Sequence, residues 1–314
     1  MPKTLLQIVN AAQQELGLPQ SASVIGNADF TTVQMLALLN AAGEELRDAP
    51  EDGWTSMQTE YNLVVSVPIS TTGDTAADSA VITSIPDTSS LAAGAWMCAG
   101  SGIPTAARIL TVDSPTQVTL TMNAAGATTG TALTFSKDTY ALPSDFKSYI
   151  GRTWWDRTNH WELLGPDSPQ MDQWHRSGVV VTGPRRHWRQ IGHATNQYRI
   201  WPQPSEITSP LQLVFEYLSS DWVNVNGAGT SFASAFANDA DTPFLDDRAL
   251  ILSLKWRFWE QKGYNYIEKK NEYLDWVDRL ISRDGGQKSL SLVKRQHPIF
   301  ISPANVQDGF FPAP

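Results

Sequence analysis

Carboxylates cluster late in the chain, at Asp239, Asp241, Asp246 and Asp247. Four acids this close can hold a divalent ion or divide acid and base roles. They can equally cap a helix and complement its dipole. The second reading is favoured, since there is no calcium-loop spacing and no partner histidine nearby. The histidines, His160, His175, His187, His193 and His297, form no HExxH or HxH pattern, so no metal site is expected and no cofactor is assigned. No Gly-x-Ser-x-Gly or phosphate-binding loop occurs. Cys98, the single cysteine, lies in the small-residue run Met97-Cys98-Ala99-Gly100 and reads as a buried apolar residue. No catalytic residue is assigned, and a non-enzymatic chain is expected.

One basic cluster stands out: Arg185-Arg186-His187-Trp188-Arg189. It can meet phosphates, with Trp188 stacking on a base. The acidic balance of the chain, −9 with 23 Lys+Arg against 32 Asp+Glu, opposes a nucleic-acid-gripping face. An intersubunit patch is the better reading. Arg185, Arg186 and Arg189 on one copy would meet Asp239, Asp241, Asp246 and Asp247 on the next. The 12 tryptophans suggest large contact surfaces, through core and interface packing or as a sugar platform. No apolar run reaches the ~20 residues needed to span a bilayer, so no membrane partner is expected. The opening Met1-Pro2-Lys3-Thr4 lacks the layout of a signal peptide, so production in a cytosol-like compartment is expected.

The elements that would carry these residues follow from periodicity. Leu5, Ile8, Ala12 and Leu16 recur at helical spacing, with Thr4 and Gln7 as a capping box and Gly17 as the stop. A second helix is predicted to start on a Thr31–Gln34 capping box and to end near Asp48. From residue 66 to 137 charges are sparse and short alternating runs appear, such as Gln117-Val118-Thr119-Leu120-Thr121, which predicts a small all-β insert. Strands also fit Gln197–Trp201 and Leu211–Tyr217. A helix capped by Asp246 is apolar on nearly every side from Ala249 to Trp259, so it is expected to be buried on several sides. A further helix runs from about Tyr266 to Ile281, up to Gly285-Gly286. The tail 287–314 has no period but keeps Ile299-Phe300-Ile301 and Phe310-Phe311, so it reads as an extended arm that docks on a partner.

In their order along the chain these pieces resemble the head-to-tail adaptor (connector) proteins of tailed bacteriophages. The resemblance rests on Leu5-x-x-Ile8-Val9-Asn10-x-Ala12 with Leu16-Gly17. It continues through Leu38-Leu39-Asn40-x-x-Gly43-x-Glu45-Leu46 with Trp54, then Tyr140-x-Leu142-Pro143-x-Asp145-Phe146 and Arg199-Ile200-Trp201-Pro202-x-Pro204. Phe215-x-Tyr217, Asp241-x-Pro243 and Leu254-Lys255-Trp256-Arg257-Phe258 complete it. The insert, with Gly100-Ser101-Gly102-Ile103-Pro104, Val112-Asp113-Ser114 and Val118-Thr119-Leu120, is similar to a small β module of many phage virion proteins. Simpler members of the family pass almost directly from the Trp54 region to Tyr140.

The resemblance implies a structural virion protein at the head–tail junction. It would form a homo-oligomeric ring of about twelve copies by head-to-tail contacts. The ring would join the portal protein to a tail or nozzle protein and continue the DNA channel. An acidic lumen would let the genome slide through without specific binding. The expected fold is α+β: a helical bundle core from the N- and C-terminal segments, an antiparallel β layer, and an inserted small β-barrel or sandwich. The expected domains are an adaptor core (1–65 and 138–286), the all-β module (66–137) and the arm (287–314). The competing reading is a carbohydrate-binding virion surface protein with a Trp-rich face. A glycan hydrolase would have only Asp239 and Asp241 as its acid pair.

Overall fold

The computed structural model describes residues 2–51, 53–177, 186–192, 197–203 and 209–285. The chain divides into two compact units. Among the described residues, the first joins 2–59, Asp145–Ile150 and 217–285, and the second holds Glu60–Ser144 and Gly151–Glu216.

The first unit opens with α1 (Leu5–Leu16) and α2 (Phe30–Arg47). Thr4 and Gln7 form the reciprocal capping box, and Gly17 closes α1 in the left-handed conformation at φ +71°. The start of α2 differs from the expected Thr31–Gln34 box. Asp29 is the cap, and its carboxylate accepts from the Thr32 amide and hydroxyl, both at 2.9 Å. An ionised carboxylate at the positive end of a helix outcompetes a hydroxyl two residues on.

In the second unit and at its joins run β1 (Gln58–Val65), β2 (Ile69–Thr75), β3 (Val81–Thr83), β4 (Trp96–Gly100), β5 (Ile109–Ser114), β6 (Gln117–Leu120) and β7 (Thr128–Lys137). They are followed by β8 (Thr139–Ala141), β9 (Phe146–Tyr149), β10 (Trp155–Asp156) and β11 (Trp161–Glu162). Then come α3 (Pro169–Arg176), β12 (His187–Ile191), β13 (Gln197–Trp201) and β14 (Leu211–Ser219). The first unit resumes with β15 (Val223–Asn224), β16 (Phe232–Ala233), β17 (Thr242–Pro243), α4 (Asp247–Gln261) and α5 (Ile267–Arg283).

The helical-bundle core expected from the sequence is corrected by this inventory. The class is mixed α+β, but the described residues build seventeen strands in four largely antiparallel sheets against five α-helices. Helical periodicity is local and shows in sequence. Strands of two to five residues alternate over too short a window to register, and cross-strand partners distant in sequence hold them.

The helical layer and the largest sheet each enclose a core. In the first unit α4 packs against α1, α2 and α5, burying Leu250, Ile251, Leu252, Leu254, Trp256 and Phe258. In the second, β4-β7-β2-β3-β6-β5 form a six-stranded sheet over Ile82, Ile85, Trp96, Ile109, Leu133 and Phe135. Its two edge strands come together. Met97 bridges Arg108, and the Cys98 amide donates to Ala107 O at 3.0 Å. The strands of this sheet run from Ile69 to Lys137.

Candidate functional site

Of the acidic residues expected at an interface only Asp241 is buried, but all four accept hydrogen bonds within the chain. Asp241 is fully buried and accepts from the amides of Asn226, Ala237 and Asn238 at 2.9, 2.9 and 2.7 Å. Burial raises its pKa, but these donors outweigh it and hold the carboxyl below its usual value. Asp239 accepts from the amides of Val24 and Ile25 at 3.0 and 2.9 Å. Asp246 caps α4 through Ala249 N at 2.8 Å and accepts from Trp276 Nε1 at 2.9 Å. Asp247 accepts from Lys3 N at 2.9 Å. Desolvation, its largest influence, pushes its pKa up.

The described arginines of the basic cluster are also bonded within the chain. Arg186 donates to Pro202 O at 2.8 Å, and Arg189 to Asp172 at 3.0 Å. Arg185 lies outside the described residues, as do the arm residues Ile299, Phe300, Ile301, Phe310 and Phe311. These partners stabilise each unit internally. Among the described members, Arg186, Arg189, Asp239, Asp246 and Asp247 nevertheless stay partly exposed.

Part of the Trp-rich middle is packed, while Trp174 on α3 is 50% exposed. Trp154 stacks on Phe215 at 3.9 Å between centroids and on Trp188 at 4.1 Å, and all three are buried. Trp54 is bound through its indole N–H to Leu46 O at 2.6 Å, fixing the exit from α2.

The densest polar cluster lies elsewhere in the second unit. Asp138 is fully buried and takes a two-pronged salt bridge from Arg108, with Nη1–Oδ1 at 2.9 Å. Arg176 stands 3.6 Å from the same carboxylate and reaches Asp172 at 2.9 Å. Asp172 thereby holds both Arg176 and Arg189. Burial and the neighbouring Arg108 and Arg176 push the Arg199 pKa down to about 10, which still leaves it charged at neutral pH.

Beside this network the fold brings together Asp167, His175 and His187, with one ligand-capable atom of each within 4.8 Å of the others. Three elements position them. Ser168 caps α3 and Pro169 starts it, so Asp172 and His175 lie one turn apart on its buried face. His187 opens β12, paired to Trp201 of β13. Asp167 is fixed by backbone bonds between its segment and β12: Leu164 N to Arg186 O, Trp188 N to Leu164 O and Asp167 N to Trp188 O, each at 2.9 Å. The approach is close enough to require glycine at 165, where φ is +151° and a Cβ would stand 2.5 Å from Trp188 O.

His187 Nδ1 lies 3.2 Å from Asp167 Oδ1, and His175 Nε2 lies 3.6 Å from Oδ2. His175 is 4% exposed, and neither of its ring nitrogens has a hydrogen-bond partner. Burial first, and the adjacent His187 second, hold its pKa below the usual histidine range, so it is neutral at pH 7. A neutral imidazole, a second imidazole and a carboxylate are ligands for a divalent ion. Sequence reasoning missed this trio because 167, 175 and 187 form no motif. Its one trace is the Ser168-Pro169 helix start, which places Asp172 and His175 on the same side.

The described hollows hold no catalytic set. One is bounded by Trp54, Phe244, Asp246, Arg283 and Asp284, yet Asp246 is a helix cap and Asp284 accepts from Thr55 N at 2.8 Å. No described helix is long and apolar enough to cross a membrane. No family model matches the sequence, and no curated protein matches it.

Proposed function

We propose that this chain is a structural, non-enzymatic ring protein of a phage virion. In this reading it assembles head-to-tail beneath a portal protein, joins it to a tail or nozzle protein, and lets DNA pass through an acidic lumen. The observation that carries the reading is the apolar end of the helical layer. Phe30, at the start of α2, is 74% exposed, and Tyr264 and Ile267, at the α4–α5 junction, are each 61% exposed. Lys262 lies over the rings of both Phe30 and Phe258, and Tyr264 packs edge-on against Trp259, which gathers these side chains at one end of the unit. Apolar groups gathered on a surface mark a contact site.

The resembling motifs also behave as joints. Asp145, from the Tyr-x-Leu-Pro-x-Asp-Phe step, accepts from the Tyr217 hydroxyl at 2.9 Å and the Ser219 hydroxyl at 2.7 Å. Phe146 packs on Tyr217 at 5.7 Å, and Tyr140 stacks on Tyr198 at 5.8 Å. Such residues hold a scaffold and touch no common cleft. The carbohydrate-binding alternative would rest on Trp174, which is 50% exposed, because Trp154, Trp188 and Trp201 are buried.

Particle images of the purified chain, alone and mixed with a portal protein, test the reading. Rings that seat on the portal are expected. A chain that stays monomeric in both samples overturns it.

A further inference from the structure

We propose that Asp167, His175 and His187 form a binding site for a late first-row divalent metal ion, with zinc the natural occupant, which staples α3 to β12 and to the segment before α3. The proposal does not depend on the ring reading. Two ligands at zinc bond lengths of about 2.0–2.1 Å around a tetrahedral ion stand about 3.4 Å apart. His187 Nδ1 lies 3.2 Å from Asp167 Oδ1 and His175 Nε2 lies 3.6 Å from Oδ2, so each imidazole faces its own oxygen of the carboxylate, and one ligand-capable atom of each residue lies within 4.8 Å of the others. The two rings, 4.5 Å between centroids, need only a small adjustment to share an ion.

A plain Asp–His pair accounts for His187 but not for His175. The gap of 3.6 Å exceeds hydrogen-bonding distance, and both its ring nitrogens are buried without a partner. Leaving such a group unsatisfied is unfavourable, and a metal bond to its lone pair removes part of that cost. The chemistry of the set selects the ion. Imidazole nitrogens suit zinc, copper, nickel and cobalt, whereas calcium and magnesium require oxygen ligands. The nearest other carboxylate, Asp172, is taken by Arg176 and Arg189, so the ligand set carries one negative charge and leaves a fourth position for water. Each ligand is held by a helix, a strand or a backbone-bonded segment, which is the pre-organisation a metal site needs.

The test uses the full chain without an affinity tag, stripped of metal by chelator and dialysis. Cobalt(II) is titrated in and its visible d–d absorption followed; zinc(II) is then added. Saturation near one equivalent is expected, with a spectrum of low coordination number that zinc abolishes. His187→Gln and Asp167→Asn, both at partly exposed positions, should each weaken cobalt binding more than about tenfold without changing the far-ultraviolet circular dichroism. His160→Gln, in an exposed turn, should leave binding intact. Absence of saturable binding by the unaltered chain overturns the proposal. So does binding that survives both ligand substitutions or is lost in His160→Gln.

Discussion

The indole of Trp222 occupies the space where a side chain on Gly43 would begin: a Cβ there would lie 2.1 Å from Trp222 Cη2 and Cζ2. Gly43 sits in the middle of α2, where alanine is ordinarily favoured over glycine by about 1 kcal/mol. Here the steric conflict outweighs that preference, because the ring is fully buried and packs edge-on against Phe236 at 4.9 Å. Gly43→Ala is therefore expected to destabilise the fold by roughly 1–3 kcal/mol, read as a lower urea midpoint. A midpoint equal to or above that of the parent would show that the ring can move aside.

Asp241→Asn should cost roughly 1.5–3 kcal/mol at pH 7, because an amide NH2 would face the backbone donors that the carboxylate now satisfies. The folded-state pKa lies below the usual aspartate value. The contribution is therefore fully present above the unfolded pKa and is lost as pH falls through the folded one. The stability gap between parent and variant should narrow below about pH 4 in denaturant titrations at stepped pH. A gap that stays constant down to pH 2 would contradict the assignment.

Burial pushes the Cys98 thiol up to about 12, and the residue is 2% exposed in the core of the six-stranded sheet. Since the thiolate is the reactive form, the native chain at pH 8 should resist a thiol-specific chromogenic disulfide, and the same chain in strong denaturant should react with it. Rapid labelling of the native chain would place the thiol outside that core.

Gly165→Ala should disturb the Asp167 segment, since glycine is needed both for the backbone angle and for the close approach to Trp188 O. The expected outcome is a lower melting temperature together with weaker cobalt(II) binding. Parent-like behaviour in both would break the link between that approach and the His–Asp cluster.

Legibility in the sequence follows the range of the forces. The α1 capping box and the Asp246 cap act within one turn and were readable from residue type alone. The buried all-round character of α4 was readable for the same reason. At α2 the Thr31–Gln34 pattern pointed to the wrong cap, and only the folded chain shows that Asp29 holds that place. The two-residue strands β10, β11, β15, β16 and β17 left no periodic trace, because distant partners define them. Asp239 and Asp241 read as surface acids, yet their oxygens complete loops that the sequence gives no way to foresee. The His–Asp trio is assembled from a segment, a helix end and a strand start, so its existence is a tertiary fact.

If the apolar end of the helical layer is an assembly surface, replacing Phe30 and Ile267 together by aspartate should reduce self-association and leave the melting temperature nearly unchanged. Both side chains are exposed and contribute little to their own unit's core. A large drop in melting temperature would assign them to the fold instead.

The most direct measurement is the mass of the purified chain in solution, by native mass spectrometry across a range of protein concentrations. The account predicts a closed assembly of about twelve copies, with a single dominant copy number, as expected of head-to-tail contacts that close on themselves. A mass that remains that of one chain at every concentration, with and without a portal protein, would contradict it.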